Sequence, residues 1–106
     1  MTTETIINVS ENPHIVLGKG AFAVSQGVCV GSLSNGEPES VYGVLSFHPL
    51  NVQQDINALD DVVDMANVHD PENPLLSLLF ASVESAERLK RDIDAVIHHM
   101  KESSNV

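Results

Sequence analysis

Residues 41–47 of this chain read VYGVLSF, a short run with apolar side chains at both sets of alternating positions. Successive side chains of a strand point to opposite faces, so Val41 and Phe47 share one face while Tyr42 and Val44 share the other. Such a run predicts a strand that needs cover on both sides. Helices packed on one side of the sheet would leave the Tyr42 face open. We therefore expect a homo-oligomer, most simply a two-fold dimer, to bury it.

Four β-rich runs precede this strand, and each is closed by turn residues. They cover residues 5–9, 14–17, 21–24 and 28–33. Gly18-Lys19-Gly20 predicts a hairpin and Ser25-Gln26-Gly27 a turn. Asn35-Gly36 is a strong hairpin signal, because Asn and Gly tolerate the positive φ that such turns require. The first half of the chain therefore predicts an antiparallel meander.

The periodicity changes after Pro49. Residues 51–68 predict a helix, because five apolar residues recur at helical spacing on one stripe: Val52, Ile56, Leu59, Val63 and Ala66. Residues 75–80 are apolar at five of six positions, which is typical of a strand inside a sheet. Ser82 is expected to cap a second helix. Its predicted buried stripe comprises Ala86, Leu89, Ile93, Val96, Ile97 and Met100.

Together these elements predict an α+β fold. We expect a mixed, mostly antiparallel sheet, built from a strand meander and then a helix-strand-helix unit, with two helices packed on one face. With 106 residues, of which 42% are hydrophobic, residues 1–106 suit a single domain. Residues 1–4 and 102–106 are expected to fray.

The chain is also expected to be cytoplasmic. Its first five residues are polar and include an acid, unlike a secretory signal, and its apolar runs are far shorter than the ~20 residues of a membrane helix. The single cysteine, Cys29, cannot form an internal disulfide, which fits a reducing compartment. We expect no contact with a membrane.

Acidic residues dominate the charge. The formal net charge is -10, so direct nucleic-acid binding is not expected. Lys19 is the one base among the first 87 residues, and residues 55–72 hold six acids and no base. On the predicted helix Asp60, Asp61 and Asp64 would form one acidic face beside the apolar stripe.

Three interpretations of this acidic face stay open. It is a solvated surface that keeps the chain soluble, a docking surface for a basic protein, or a divalent-cation site at Asp60 and Asp64. If the docking interpretation holds, the predicted partner-binding residues are Asp60, Asp61, Asp64, Asp70 and Glu72.

No other motif indicates chemistry. The five histidines have no metal-ligand spacing, and Gly18-Lys19-Gly20 lacks the pattern of a phosphate-binding loop. No sequence around a serine, or around Cys29, is typical of an activated nucleophile. We therefore predict no catalytic residue, no cofactor and no metal.

Two classes of function follow, with a third left open. The first is a non-catalytic cytosolic binding protein whose acidic face engages a basic protein partner, as an inhibitor, an immunity-type protein or a nucleic-acid mimic. The second is a small-ligand-binding homo-oligomer, with an inter-subunit pocket lined by Tyr42, Val44 and Lys19. A scaffold or adaptor subunit is the third.

Overall fold

The computed structural model describes Ile7, residues 9–56 and residues 58–104. Its regular elements are strands β1 (Phe22–Gly31), β2 (Ser40–Pro49) and β3 (Leu76–Phe80), a short 3-10 helix (Met65–Asn67) and helix α1 (Val83–Ser104). The strands form one antiparallel sheet in the order β1-β2-β3. The fold is α+β. The prediction of a mixed sheet with two helices packed on one face is wrong, because the described residues contain one α-helix.

Strands β1 and β2 form a long hairpin. Phe22 pairs with Pro49 at its open end and Gly31 with Ser40 at its closed end. In the connection, Gly36 has a φ of 88°, and the next amide N–H donates to the Ser34 carbonyl over 3.3 Å. The hairpin predicted at Asn35-Gly36 is therefore confirmed, with a longer loop than the two-residue form.

Three of the predictions upstream are wrong. Residues 25–27 do not turn but continue β1, and Gln26 pairs with Leu45. Residues 14–17 are not a strand, and residues 18–20 form a bend instead of a hairpin. One uninterrupted β1 pairs its backbone with the full length of β2, which satisfies more amide groups than two short strands would. The strand predicted at residues 5–9 lies mostly outside the described residues.

The helix predicted over residues 51–68 is also wrong. Side chains in this segment bond to its backbone instead. Asn67 accepts the Val52 N–H at 2.9 Å and donates to the Val52 carbonyl at 2.7 Å. Asp64 accepts the Ala66 N–H at 3.0 Å and caps the 3-10 helix. Such bonds of Asn and Asp offer the backbone an alternative to the helix.

Strand β3 lies at an edge of the sheet, contrary to the prediction of an interior strand. Among the described residues it pairs only with β2, from Phe47 opposite Leu76 to Gly43 opposite Phe80. Its two-sided apolar pattern predicts burial on both sides. In the single chain that pattern means exposure instead, because Leu76, Leu78 and Leu79 all lie open.

Helix α1 begins where the sequence predicts. Ser85 donates its N–H to the Ser82 hydroxyl at 3.1 Å, and Ser82 donates its N–H to the Ser85 hydroxyl at 3.3 Å. This reciprocal pair is a capping box with Ser85 in the position that Glu or Gln usually holds. The helix continues to Ser104. Of the residues predicted to fray, 1–4 and 102–106, residues 102–104 belong to α1, and the others lie outside the described residues.

The cap gives a first testable prediction. Replacing Ser82 by Ala should destabilise α1 by about 1 kcal/mol, because the first-turn amide loses its acceptor. Ser82→Asp keeps an acceptor there and is the matched control. Thermal unfolding followed by far-ultraviolet circular dichroism measures both. Equal helix stability in the two variants would contradict the cap.

Candidate interaction surfaces

One face of the sheet is apolar and is open toward the closed end of the hairpin. Toward the other end Phe47 is buried, and Pro13 and Ile15 lie beside it. Residues opposite one another in antiparallel strands share a face. This valine face comprises Phe22, Val24, Gln26, Val28, Val30, Val41, Leu45, Phe47, Leu76, Leu78 and Phe80. Val28 is 75% exposed, Val30 65% and Val41 62%. The expectation that helices cover the face of Val41 is wrong, because α1 leaves these valines in solvent.

The opposite, serine face is the better buried one. It comprises Ala23, Ser25, Cys29, Tyr42, Val44, Ser46, His48, Ser77 and Leu79. Tyr42 is only 8% exposed, and Val44 is half-buried. The prediction that the Tyr42 face would be the open one is therefore wrong. A period of two shows which residues share a face of a strand, but not which face the rest of the chain covers.

Two hydroxyl contacts join the strands on the serine face. The Ser25 hydroxyl lies 3.0 Å from Nε2 of His48, and the Ser46 and Ser77 hydroxyls lie 2.7 Å apart. His48 is buried, and its Nδ1 has no hydrogen-bond partner within the described chain. The Ser25–His48 contact is a polar tie between β1 and β2.

The sequence does not predict this pair, because the pattern at residues 25–27 predicts a turn and not a strand. Replacing Ser25 by Ala should lower the free energy of unfolding by about 1–2 kcal/mol, since both ring nitrogens of His48 would then lack a protein partner. Ser40→Ala, on the same face but exposed, is the control and should change stability by less than about 0.5 kcal/mol. Urea unfolding compares the two, and equal losses would contradict the role of the tie.

Helix α1 presents a second open apolar surface. Its stripe comprises Ala86, Leu89, Ile93, Val96, Ile97 and Met100. Leu89 is half-buried and the others are exposed. Among the regular elements α1 meets chiefly β3. The stripe lies on the predicted helix, but its predicted burial is wrong within the single chain.

The acidic segment, residues 55–72, is an irregular loop. Its six acids are all exposed. Asp60, Asp61 and Asp64 do not share a helical arc, because the helix that would align them does not form.

Three of these carboxylates hold local turns. Asp61 accepts the Ala58 N–H at 2.7 Å, and Asp64 caps the 3-10 helix. Asp70 has a φ of 47°, a left-handed conformation that Asp tolerates better than most residues, and accepts from the Asn73 side chain at 3.0 Å.

Asp60 and Glu72 differ from these three acids. Within the described residues, neither of them forms a hydrogen bond or an ion pair. These two are therefore the acids of the segment most available to a partner.

The residues predicted for a small-ligand pocket do not come together. Lys19 lies beyond the open end of the hairpin, in a shallow polar groove with Gln53 and Asp55. Tyr42 pairs with Cys29, seven residues along β1 from Phe22, which corresponds to about 23 Å of strand. Val44 lies beside Tyr42 in β2, so the structure brings these two together but not Lys19.

Metal-ligating side chains are scattered. Across residues 9–56 and 58–104, no three His, Cys, Asp or Glu side chains converge as a metal site requires. No helix in this part of the chain is both long enough and apolar enough to cross a bilayer.

Comparison of this chain with protein-family profiles, curated proteins and solved structures finds no match. Its function must therefore be inferred from its own surfaces.

Proposed function

We propose that this chain is a non-catalytic, cytosolic binding protein that works as a homo-oligomer, most simply a dimer, and that engages a basic protein partner through its acidic segment. The observation that carries this proposal is the amount of apolar surface that the single chain leaves open. The valine face and the stripe of α1 together expose far more large apolar side chains than one domain usually does.

The total surface supports self-association. The single chain exposes 8,783 Å², whereas a compact monomer of its mass exposes about 5,800 Å². Its radius of gyration is 16.6 Å, against about 13 Å for a compact domain of this length. A stable interface buries about 800 Å² per partner. Half of the difference between the observed and the expected surface area would still exceed the area that a stable interface buries per partner.

Sedimentation velocity of the purified chain tests the oligomer. A dimer at micromolar concentration is the expected result. A strict monomer at that concentration would overturn this part of the proposal.

Charge supports the second part of the proposal. A chain of net charge -10 steers positively charged proteins toward itself, and the six acids of the acidic segment are all exposed. A suitable role is that of an antagonist that occupies the surface with which a nucleic-acid-handling protein holds phosphates.

Charge reversal tests this role, with poly-lysine as the probe. Asp60→Lys combined with Glu72→Lys should weaken poly-lysine binding about tenfold at low salt, because two exposed charges are reversed. These two acids are chosen because they hold no turn. Isothermal titration calorimetry at low and moderate salt gives the affinities.

The matched control reverses two exposed acids of the hairpin loop, Glu37→Lys with Glu39→Lys, for the same change in net charge. Equal weakening in both double variants would show that net charge alone attracts the probe. That result would remove the acidic segment as a site.

A further inference from the structure

We infer that the two open apolar surfaces cover one another between copies of the chain: α1 of one protomer lies across the valine face of its partner, and the partner's α1 lies across the first. This inference rests on the proposed homo-oligomer and specifies how its copies pair. In this arrangement the valine face and the stripe of α1 bind a second copy of the chain, and not the basic partner.

The two surfaces match in length. Helix α1 has 22 residues, which span about 33 Å at the usual helical rise. Strands β1 and β2 have ten residues each, and ten residues of strand also span about 33 Å. The helix is therefore long enough to cover the open part of the valine face, around Val28, Val30 and Val41. Phe47, toward the open end of the hairpin, is already buried within the protomer.

Reciprocal packing covers both the valine face and the stripe of α1 in each protomer. A helix layered on a sheet is the usual way in which an α+β fold buries both apolar surfaces. Pairing the two helices alone would leave both valine faces in solvent, and stacking the two faces alone would leave both helices there. A two-fold axis that places each helix on the other protomer's face covers all four surfaces and closes the assembly.

The charge distribution favours a second copy as the occupant. Two chains of net charge -10 repel each other, so they must meet where the charge is low. The three strands contain no Asp, Glu, Lys or Arg, and α1 balances four bases against five acids. Charged residues are also depleted at the centre of protein–protein interfaces.

Pairwise cross-linking tests the arrangement. In a Cys29→Ser background, one protein carries Val28→Cys on the valine face and another carries Ile93→Cys on the helix stripe. The two proteins are unfolded together, refolded as a mixture and treated with a short bismaleimide. We expect the mixture to give several times more covalent dimer than either protein alone.

A control variant reports random collisions. Val52→Cys places the thiol in the loop that follows β2. Val52 is 69% exposed, almost as much as Val28. Mixed with the Ile93→Cys protein, it should give little covalent dimer. A yield equal to that of the Val28→Cys mixture would overturn the inference.

The other arrangements give different products. Strong cross-linking of the Ile93→Cys protein with itself would show that the two helices pair. Strong cross-linking of the Val28→Cys protein with itself would show that the two valine faces stack. A chain carrying both substitutions that cross-links only as a monomer would show that α1 folds onto its own sheet. Each result overturns the reciprocal arrangement. Sedimentation of the unmodified chain decides separately whether a dimer exists, so failure of the homo-oligomer can be distinguished from failure of the reciprocal arrangement alone.

Discussion

Replacing Val28 by Lys should convert the dimer into a folded monomer. In the single chain Val28 is 75% exposed, so the substitution should change the stability of the protomer by no more than about 0.5 kcal/mol. In the dimer the same side chain would be buried under the partner's α1, where an unpaired charge is strongly unfavourable. We expect dimerisation to weaken by about 3 kcal/mol, on the order of a hundredfold in Kd.

Val52→Lys is the control for this prediction. It introduces the same charge at a valine that is 69% exposed but lies outside both apolar surfaces. Sedimentation equilibrium measures the two dissociation constants, and circular dichroism shows whether each variant is folded. The unfolding midpoint of Val28→Lys should also lose its dependence on protein concentration. Equal dimer affinities in the two variants would remove the valine face as the interface.

The elements that could be predicted from sequence depend on local interactions. The start of α1 follows from the Ser82 cap, and its stripe follows from helical spacing within one segment. The hairpin loop follows from Asn35-Gly36, where the turn residues themselves prefer the required conformation.

Residues 51–68 could not be predicted in this way. Their apolar spacing is as regular as that of α1, but the contact that organises them joins Val52 to Asn67 across 15 positions. Spacing also says nothing about whether Asn and Asp side chains will bond to the backbone. The periodic pattern alone therefore predicts a helix, whereas residues 51–68 form a loop held by side-chain hydrogen bonds to its backbone, here called the braced loop.

The candidate surfaces were predictable only in part. The acids of residues 55–72 are exposed in the structure, as is usual for charged side chains. Their arrangement was not predictable, because it depended on a helix that does not form. The sequence also showed that strand 41–47 is apolar on both faces, but the open face is that of Val41 and not that of Tyr42. Long-range packing decides that choice, and no local pattern records it.

Replacing Gly20 by Ala should strongly destabilise the protein, because Gly20 anchors the braced loop to the start of β1. Its carbonyl accepts the Gln54 N–H at 3.0 Å, and its φ is 76°. A Cβ at this position would collide with the backbone carbonyl of Gln54, which cannot swing aside as a flexible side chain could.

Two effects therefore add at Gly20. A non-glycine residue in the left-handed region is disfavoured by about 1–2 kcal/mol, and forcing apart packed backbone adds about 1–3 kcal/mol. We expect a loss of about 3 kcal/mol, a large share of the stability of a small domain.

Gly18→Ala separates the two effects. Gly18 has a φ of 90°, but a Cβ there meets nothing within 4 Å. Only the conformational effect applies, so the loss should be about 1–2 kcal/mol. Urea unfolding of both variants gives the comparison. If the Gly20→Ala protein is too unstable to purify while the Gly18→Ala protein folds, that result also agrees with the prediction. Equal losses would show that the backbone contact between Gly20 and Gln54 does not hold the loop, and the exposed position of the acidic segment would then need another cause.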